Sequence, residues 1–214
     1  MLLKNIFKSQ PYPRASYRYY VGTMATTLAN ALKAWESKND GASAKEAETI
    51  KLCAIQPPIA KLDTKTLSTL SSCQTLSLST NAIDKLPSLS GMTSLRTLSV
   101  GRNNLKKVEK LDDVAATLEQ LWMSYNQVAS LEGLACLREL EVLYCSNNLI
   151  KSFGELDHLA GLPKLREVLF VGNPMYGEVD NPRLHVIKRL AQVKKVDGEL
   201  VKPAEIEAAK ALEG

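Results

Sequence analysis

Five stretches of the chain set apolar and polar residues in one order: apolar, two free positions, apolar, one free, apolar, two free, asparagine, one free, apolar. They are Cys73 to Ile83, Leu95 to Leu105, Leu118 to Val128, Leu140 to Ile150 and Leu165 to Met175. Their asparagines, Asn81, Asn103, Asn126, Asn148 and Asn173, follow at intervals of 22, 23, 22 and 25 residues. Within each unit the two leucines set two apart predict a short strand, and the residues after the asparagine predict a return segment to the next strand.

A near-constant period with this spelling marks a leucine-rich repeat. The predicted fold is therefore α/β, a leucine-rich-repeat solenoid. A degenerate first copy from Leu52 to Leu62, with Pro57 in the asparagine place and Ile59 and Leu62 keeping the apolar beat, brings the array to about six short repeats over residues 50–175. The asparagine needs no ligand to explain it, because its amide can satisfy backbone groups that the bend would otherwise bury unpaired. The return segments, Leu86 to Met92, Val108 to Thr117, Leu131 to Leu137 and Phe153 to Leu162, suit short helices or turns on the convex side.

An open stack exposes its core at both ends, so helical caps are expected. The N-terminal cap spans residues 24–49. Leu28, Ala31, Leu32 and Trp35 lie three and four apart and share one face of a helix from Thr27 to Lys38, with Asn39-Asp40-Gly41 ending it. Ser43 and Glu46 have capping-box spacing and predict a second short helix to Thr49. The C-terminal cap and terminal helix take residues 176–214: Leu184, Ile187, Leu190 and Ala191 share a helical face, Val193, Val196 and Leu200 continue the apolar trace, and Pro203 opens a last helix. Residues 1–23 form a basic, tyrosine-rich extension with two prolines, expected to be disordered.

Side chains alternate along a strand, so the residues beside the inward leucines point onto an exposed sheet face. Read row by row they are Lys51, Cys53, Ile55; Thr75, Ser77, Ser79; Thr97, Ser99, Gly101; Gln120, Trp122, Ser124; Val142, Tyr144, Ser146; and Glu167, Leu169, Val171. The apolar bulk falls in the later half. Trp122, Tyr144 and Leu169 should form a ribbon across neighbouring strands, widened by Val142 and Val171 and edged by Ser124 and Ser146. An exposed apolar patch rich in Trp and Tyr is the mark of a protein interface.

Composition narrows the partner. The net charge of +4 resides wholly in Lys4, Lys8, Arg14 and Arg18, because residues 1–23 hold no acid and the remainder carries 23 bases against 23 acids. A neutral body argues against nucleic acid, and no apolar run is long enough for a membrane-spanning helix. The densest basic cluster in the repeats, Arg102, Lys106, Lys107 and Lys110, offers a face to an acidic partner. Four scattered cysteines lack CxxC spacing, and three of them stand where the repeat takes a small apolar residue, so a packing role in a reducing compartment is expected. Neither a phosphate-binding loop nor HExxH occurs, and His158 and His185 have no partner recognisable by spacing. The reading is a binding module, not an enzyme, with no cofactor and no metal.

The particular words of the sequence add to this. ALKAWESK, IKLCAIQPPIAKLD, LSTLSSCQTLSLSTNAI, LSGMTSLRTLSVGRNNLKKVEKLD, TLEQLWMSYNQVASLEGL and LEVLYCSNNLIKSFGELDHLAGL together resemble the leucine-rich-repeat light chains of axonemal outer-arm dynein, over about Leu28 to Val201. The resemblance implies a light chain of a ciliary or flagellar motor, in the cytoplasm and its axonemal cytoskeleton, bound to the dynein heavy chain at the microtubule-binding domain of the stalk tip. Tubulin would then be the acidic neighbour of the basic cluster. Trp122, Tyr144 and Leu169 fall where that family's sheet face would meet the heavy chain. The tail departs from the pattern, since Pro203 to Gly214 offers Lys210 where the family carries arginines. Two other short-repeat classes remain open: regulators of a phosphatase catalytic subunit, and a spliceosomal subunit that embraces an RNA-recognition module.

Overall fold

The computed structural model describes residues 25–212, so the disorder expected for residues 1–23 falls outside the described part of the chain. In chain order the elements are β1 (Thr26–Thr27), α1 (Leu28–Lys38), β2 (Thr49–Lys51), β3 (Ile59–Lys61), α2 (Thr64–Leu67), β4 (Thr75–Ser77), β5 (Thr97–Ser99), β6 (Gln120–Trp122), β7 (Val142–Tyr144), α3 (Asp157–Ala160), β8 (Glu167–Leu169), α4 (Pro182–Arg189), β9 (Lys195–Val196), β10 (Glu199–Leu200) and α5 (Pro203–Lys210). One sheet takes eight of the strands in the order β10-β9-β8-β7-β6-β5-β4-β2, parallel throughout except for the β9–β10 hairpin.

The parallel register aligns Ile50, Leu76, Leu98, Leu121, Leu143 and Val168 across successive strands, and all six are buried. Two residues on, Leu52, Leu78, Val100, Met123, Cys145 and Phe170 form a second buried layer. Strands stay three residues long because each is followed by a left-handed residue, Thr80, Arg102, Tyr125, Asn147 or Gly172, that turns the chain into the asparagine. Each asparagine then joins two coils. Asn126 Nδ2 donates to Met123 O of its own coil and Val100 O of the one before, both at 3.0 Å, while its Oδ1 accepts from Leu105 N at 3.0 Å. Asn81, Asn103, Asn148 and Asn173 repeat the arrangement. Among the described residues no buried side-chain nitrogen or oxygen lacks a partner.

The first coil is shifted from the sequence reading. Thr49 and Lys51 stand opposite Thr75 and Ser77, and Ala54, at φ 53°, takes the left-handed place of Thr80. Ile55, not Pro57, is therefore level with Asn81, and the outward row is Thr49, Lys51, Cys53 instead of Lys51, Cys53, Ile55. Two extra residues lie between this turn and Ile59, whose N–H is met by Asn81 Oδ1 at 3.0 Å. Counting back from Pro57 crosses that insertion, and no asparagine here marks it.

Helix α1 forms as its apolar spacing predicts. Thr27 Oγ1 caps it by accepting from Asn30 N, Leu28, Ala31 and Leu32 are buried, and Trp35 packs on the end of the core. The helix expected over Ser43 to Thr49 reduces to one turn, in which Ser43 O accepts from Glu46 N and Ala47 N. Its first turn is committed elsewhere, since Ala44 N donates to Glu36 Oε1 at 2.9 Å and the chain enters β2 at Thr49. The convex returns are mostly irregular, with 3₁₀ turns at Asp112–Val114, Glu132–Leu134 and Phe153–Leu156. They pack closely: a Cβ built on Gly133 would meet Val108 O at 2.0 Å.

At the far end the sheet continues one strand past the last repeat into β9, which the apolar trace through Val193 and Val196 did not announce as a strand. Leu200, placed in that trace, is instead exposed on the hairpin. Asp197 closes the coil, with Oδ1 accepting from Phe170 N at 2.7 Å and Val171 N at 3.1 Å and Oδ2 accepting from the Tyr176 hydroxyl. Arg183 ties α4 to α5 by donating to both Glu205 carboxylate oxygens and to the carbonyls of Val196 and Leu200. The Arg183 hydrogen bond holds the Glu205 carboxyl down at about 2, helped by Lys202 N–H. A depressed folded-state pKa stabilises above the unfolded value and is lost as pH falls through the folded one. The α4–α5 clasp should accordingly loosen between about pH 4.5 and pH 2, seen as faster amide exchange in α5, and Glu205→Gln should abolish that pH dependence.

Candidate functional site: the concave sheet face

The strand register turns the outward residues into three columns. One runs Lys51, Ser77, Ser99, Trp122, Tyr144, Leu169, with each residue level with the next. Backbone bonds from Ala54 N to Ser79 O, Thr80 N to Gly101 O, Arg102 N to Ser124 O, Tyr125 N to Ser146 O and Asn147 N to Val171 O carry the alignment into the column of Cys53, Ser79, Gly101, Ser124, Ser146 and Val171. The early half is a floor of small hydroxyls bonded across strands, such as Ser79 Oγ to Ser99 Oγ at 2.7 Å. The later half rises into apolar and aromatic side chains.

Trp122 and Tyr144 stack with ring centroids 6.0 Å apart and planes 17° from parallel. Trp122 is 38% and Val171 48% exposed, and Tyr144 and Leu169 are half-buried beside them. Val142 and Ser146 face the same side but keep only 7% and 1% of their surface, so they support the patch from beneath. Ser146 is spent on Ser124: its N–H and hydroxyl both bond Ser124 Oγ, at 3.1 and 2.9 Å.

Polar ties fix the ribbon's far side. The Tyr144 hydroxyl donates to Glu167 Oε1 at 2.7 Å, and Lys195 Nζ donates to the same oxygen at 2.9 Å. Burial, then the hydrogen bond and charge of Glu167, push the Tyr144 phenol up to about 12. Burial raises the Glu167 carboxyl, but the Tyr144 and Lys195 bonds and the charges of Lys195 and Arg166 outweigh it and leave the group below its ordinary value. At neutral pH the face thus presents a neutral phenol and a paired carboxylate, an anchored platform with no reactive base.

The four residues of the basic cluster separate. Arg102 lies over the Tyr125 ring, 4.2 Å from its centroid, at the edge of the concave face. Lys110 lines a convex groove of about 490 Å³ with Lys61, Lys85 and Asp84, while Lys106 and Lys107 stand exposed outside its lining. Sequence reasoning missed Lys61, Lys85 and Tyr125. A partial signal existed: Lys61 and Lys85 each follow a repeat isoleucine, Ile59 and Ile83, by two, although Lys107 at the same offset from Leu105 stays outside the groove, and Tyr125, like Arg102, directly precedes a repeat asparagine.

Little reactive chemistry gathers anywhere else. Cys73 and Cys145 are buried, and burial pushes their thiols up to about 11 and about 12. His185 packs against Phe153, ring centroids 5.0 Å apart. No group of three or more His, Cys, Asp and Glu among the described residues could hold a metal ion.

Comparison with known proteins agrees with this picture. A family model described as Leucine Rich repeats (2 copies) matches residues 116–158. Dynein axonemal light chain 1 of Chlamydomonas reinhardtii is 49% identical over 196 residues, 89% of this chain and 98% of that protein. The Danio rerio and Homo sapiens proteins of the same name are each 46% identical, across 83% and 81% of this chain and 93% and 92% of their own. Among solved structures, an internalin from Listeria monocytogenes superposes with a TM-score of 0.56 at 20% identity, over 72% of this chain and 41% of its own. A leucine-rich-repeat protein of Leptospira interrogans gives 0.53 at 21%, over 64% of this chain and 34% of its own. These two establish the solenoid fold alone.

Proposed function

This chain belongs to the dynein axonemal light chain 1 family, and from that premise we propose that it is a non-catalytic light chain of an axonemal dynein, bound through its concave face to the motor's heavy chain. The location is the axoneme of a cilium or flagellum. The heavy-chain element it grips is the microtubule-binding domain at the stalk tip, and the effect of binding is to adjust motor output. The observation that carries the reading is the exposed, stacked Trp122–Tyr144 pair flanked by Leu169 and Val171. Rigid aromatic anchors of this type dominate the energetics of protein interfaces.

Pull-down from isolated axonemes tests the assignment. Dynein heavy chain should be recovered, and recovery of a phosphatase catalytic subunit or a spliceosomal protein without heavy chain would overturn it. The basic convex side, Lys106, Lys107 and Lys110 with Arg102 at the rim, is the face turned to acidic tubulin. Reversing Lys106, Lys107 and Lys110 to Glu should lower co-sedimentation of the light chain–stalk complex with microtubules several-fold at low salt, with the difference shrinking as ionic strength rises. Equal sedimentation of both forms would remove tubulin from the list of partners.

A further inference from the structure

Among the described residues the eight-stranded sheet has two edge strands, β10 at the C-terminal end and β2 at the N-terminal end. β1 pairs with β3, covering the descending side of the first coil, and the β9–β10 hairpin ends the sheet at the far side. β2 is the terminal strand at the other end of that sheet. Its neighbour β4 takes one half of its backbone groups: Leu52 N donates to Ser77 O, and Gln74 N and Thr75 N donate to Glu48 O. Backbone groups of adjacent residues in a strand point to opposite sides, so the N–H and C=O of Thr49 and Lys51 face away from β4. Among the described residues no strand pairs with that edge.

Beside the edge runs a groove of about 750 Å³ between β2 and the C-terminal half of α1. Ala31, Ala34, Trp35 and Ile55 supply its apolar walls, and its charged lining is Lys38 and Lys51 with no carboxylate. Glu36, on the same helix, accepts from Ala44 N and does not line the groove. We infer that this edge is a second protein-docking site, taking an extended, acidic segment of a partner as an added strand. The segment's main chain bonds Thr49 and Lys51, an apolar side chain lies on Trp35, and carboxylates meet Lys38 and Lys51. Main-chain pairing at a free edge gives affinity, and the flanking side chains give selectivity. The site is at the opposite end of the sheet from the hairpin, and its lining shares no residue with the Trp122 ribbon.

The probe is a capped pentapeptide alternating valine and glutamate, titrated into the full chain with amide signals followed by NMR. Binding should slow exchange at the Thr49 and Lys51 amides several-fold and shift signals along α1 around Trp35. N-methylation of the peptide at alternate residues, which removes its donors, should abolish this. Lys38→Glu with Lys51→Glu should weaken the acidic peptide at least tenfold and make the lysine-for-glutamate peptide the better ligand. Both side chains are exposed, so the double variant should stay folded, which its unshifted core amides would verify. Unprotected Thr49 and Lys51 amides at saturating peptide, or equal binding of the N-methylated form, would overturn the inference and mark the edge as merely blunted by its shortness and its lysine. Trp122→Ala should leave this titration unchanged, so heavy-chain binding and edge binding succeed or fail separately.

Discussion

Trp122→Ala should weaken binding to the dynein heavy chain by about 2 kcal/mol or more, roughly thirtyfold, while the chain stays folded. The two effects divide because of where the ring sits. Its backbone belongs to β6, but the side chain lies on the concave side, stacked on Tyr144 and 38% exposed, whereas Leu121 and Met123 on either side are fully buried. Removing it forfeits one aromatic pair on the free protein, about 0.5 to 1.5 kcal/mol beyond the area the ring covers, and opens no cavity in the core. On the complex it removes the anchor around which the rest of the patch excludes water. Tyr144→Phe is the sharper companion, because it keeps the ring and deletes only the bond to Glu167. Urea unfolding and affinity for the isolated stalk-tip domain would be measured on both variants. A large fall in stability with unaltered affinity for Trp122→Ala would place the partner on another face.

Asn126→Ala should cost about 2 to 4 kcal/mol of folding stability. The side chain bonds three buried backbone groups, and alanine leaves Leu105 N without a partner while taking one of two side-chain donors each from Val100 O, which keeps Asn103, and Met123 O, which keeps Asn148. The unsatisfied N–H costs about 1 to 3 kcal/mol and each weakened carbonyl about 0.5 to 1.5 kcal/mol, and some relaxation of the turn offsets part of the sum. Asn104→Ala is the control, since it is the neighbouring asparagine that the repeat leaves half-exposed, and it should change stability by about 0.5 kcal/mol or less. Chemical denaturation reads both. If the two variants unfolded at the same urea concentration, the ladder would not be what joins the coils.

Periodicity made most of this architecture legible because each coil depends on a few residue types at fixed offsets. Leu118, Leu121, Met123 and Asn126 could be assigned inward from spacing alone, and alternation then placed Trp122 outward. The first coil has no asparagine, so two inserted residues before Ile59 passed unseen and the row at Lys51 was displaced. Ser43 and Glu46 spell a helix start, but spelling does not show that Glu36 takes Ala44 N or that the sheet claims Thr49. On the concave face, sequence gives direction and not depth: Val142 and Ser146 point the same way as Trp122 and are nonetheless covered. The basic cluster was drawn along the chain, whereas the groove collects lysines across coils, which only the register brings together.

Asp197 has a meaning for how this molecule could have changed its length. Its carboxylate occupies the Phe170 N–H, whose counterparts on Leu78, Val100, Met123 and Cys145 each donate to a carbonyl of the next strand, and Tyr176 and the Arg183 clasp hold the closing segment in place. A repeat duplicated at that end would find its docking donor taken. Any lineage that lengthened this solenoid would have had to copy a coil from the interior, between two asparagines, and a copy placed between Asn126 and Asn173 would move Trp122 and the hairpin apart by one strand spacing, about 4.8 Å.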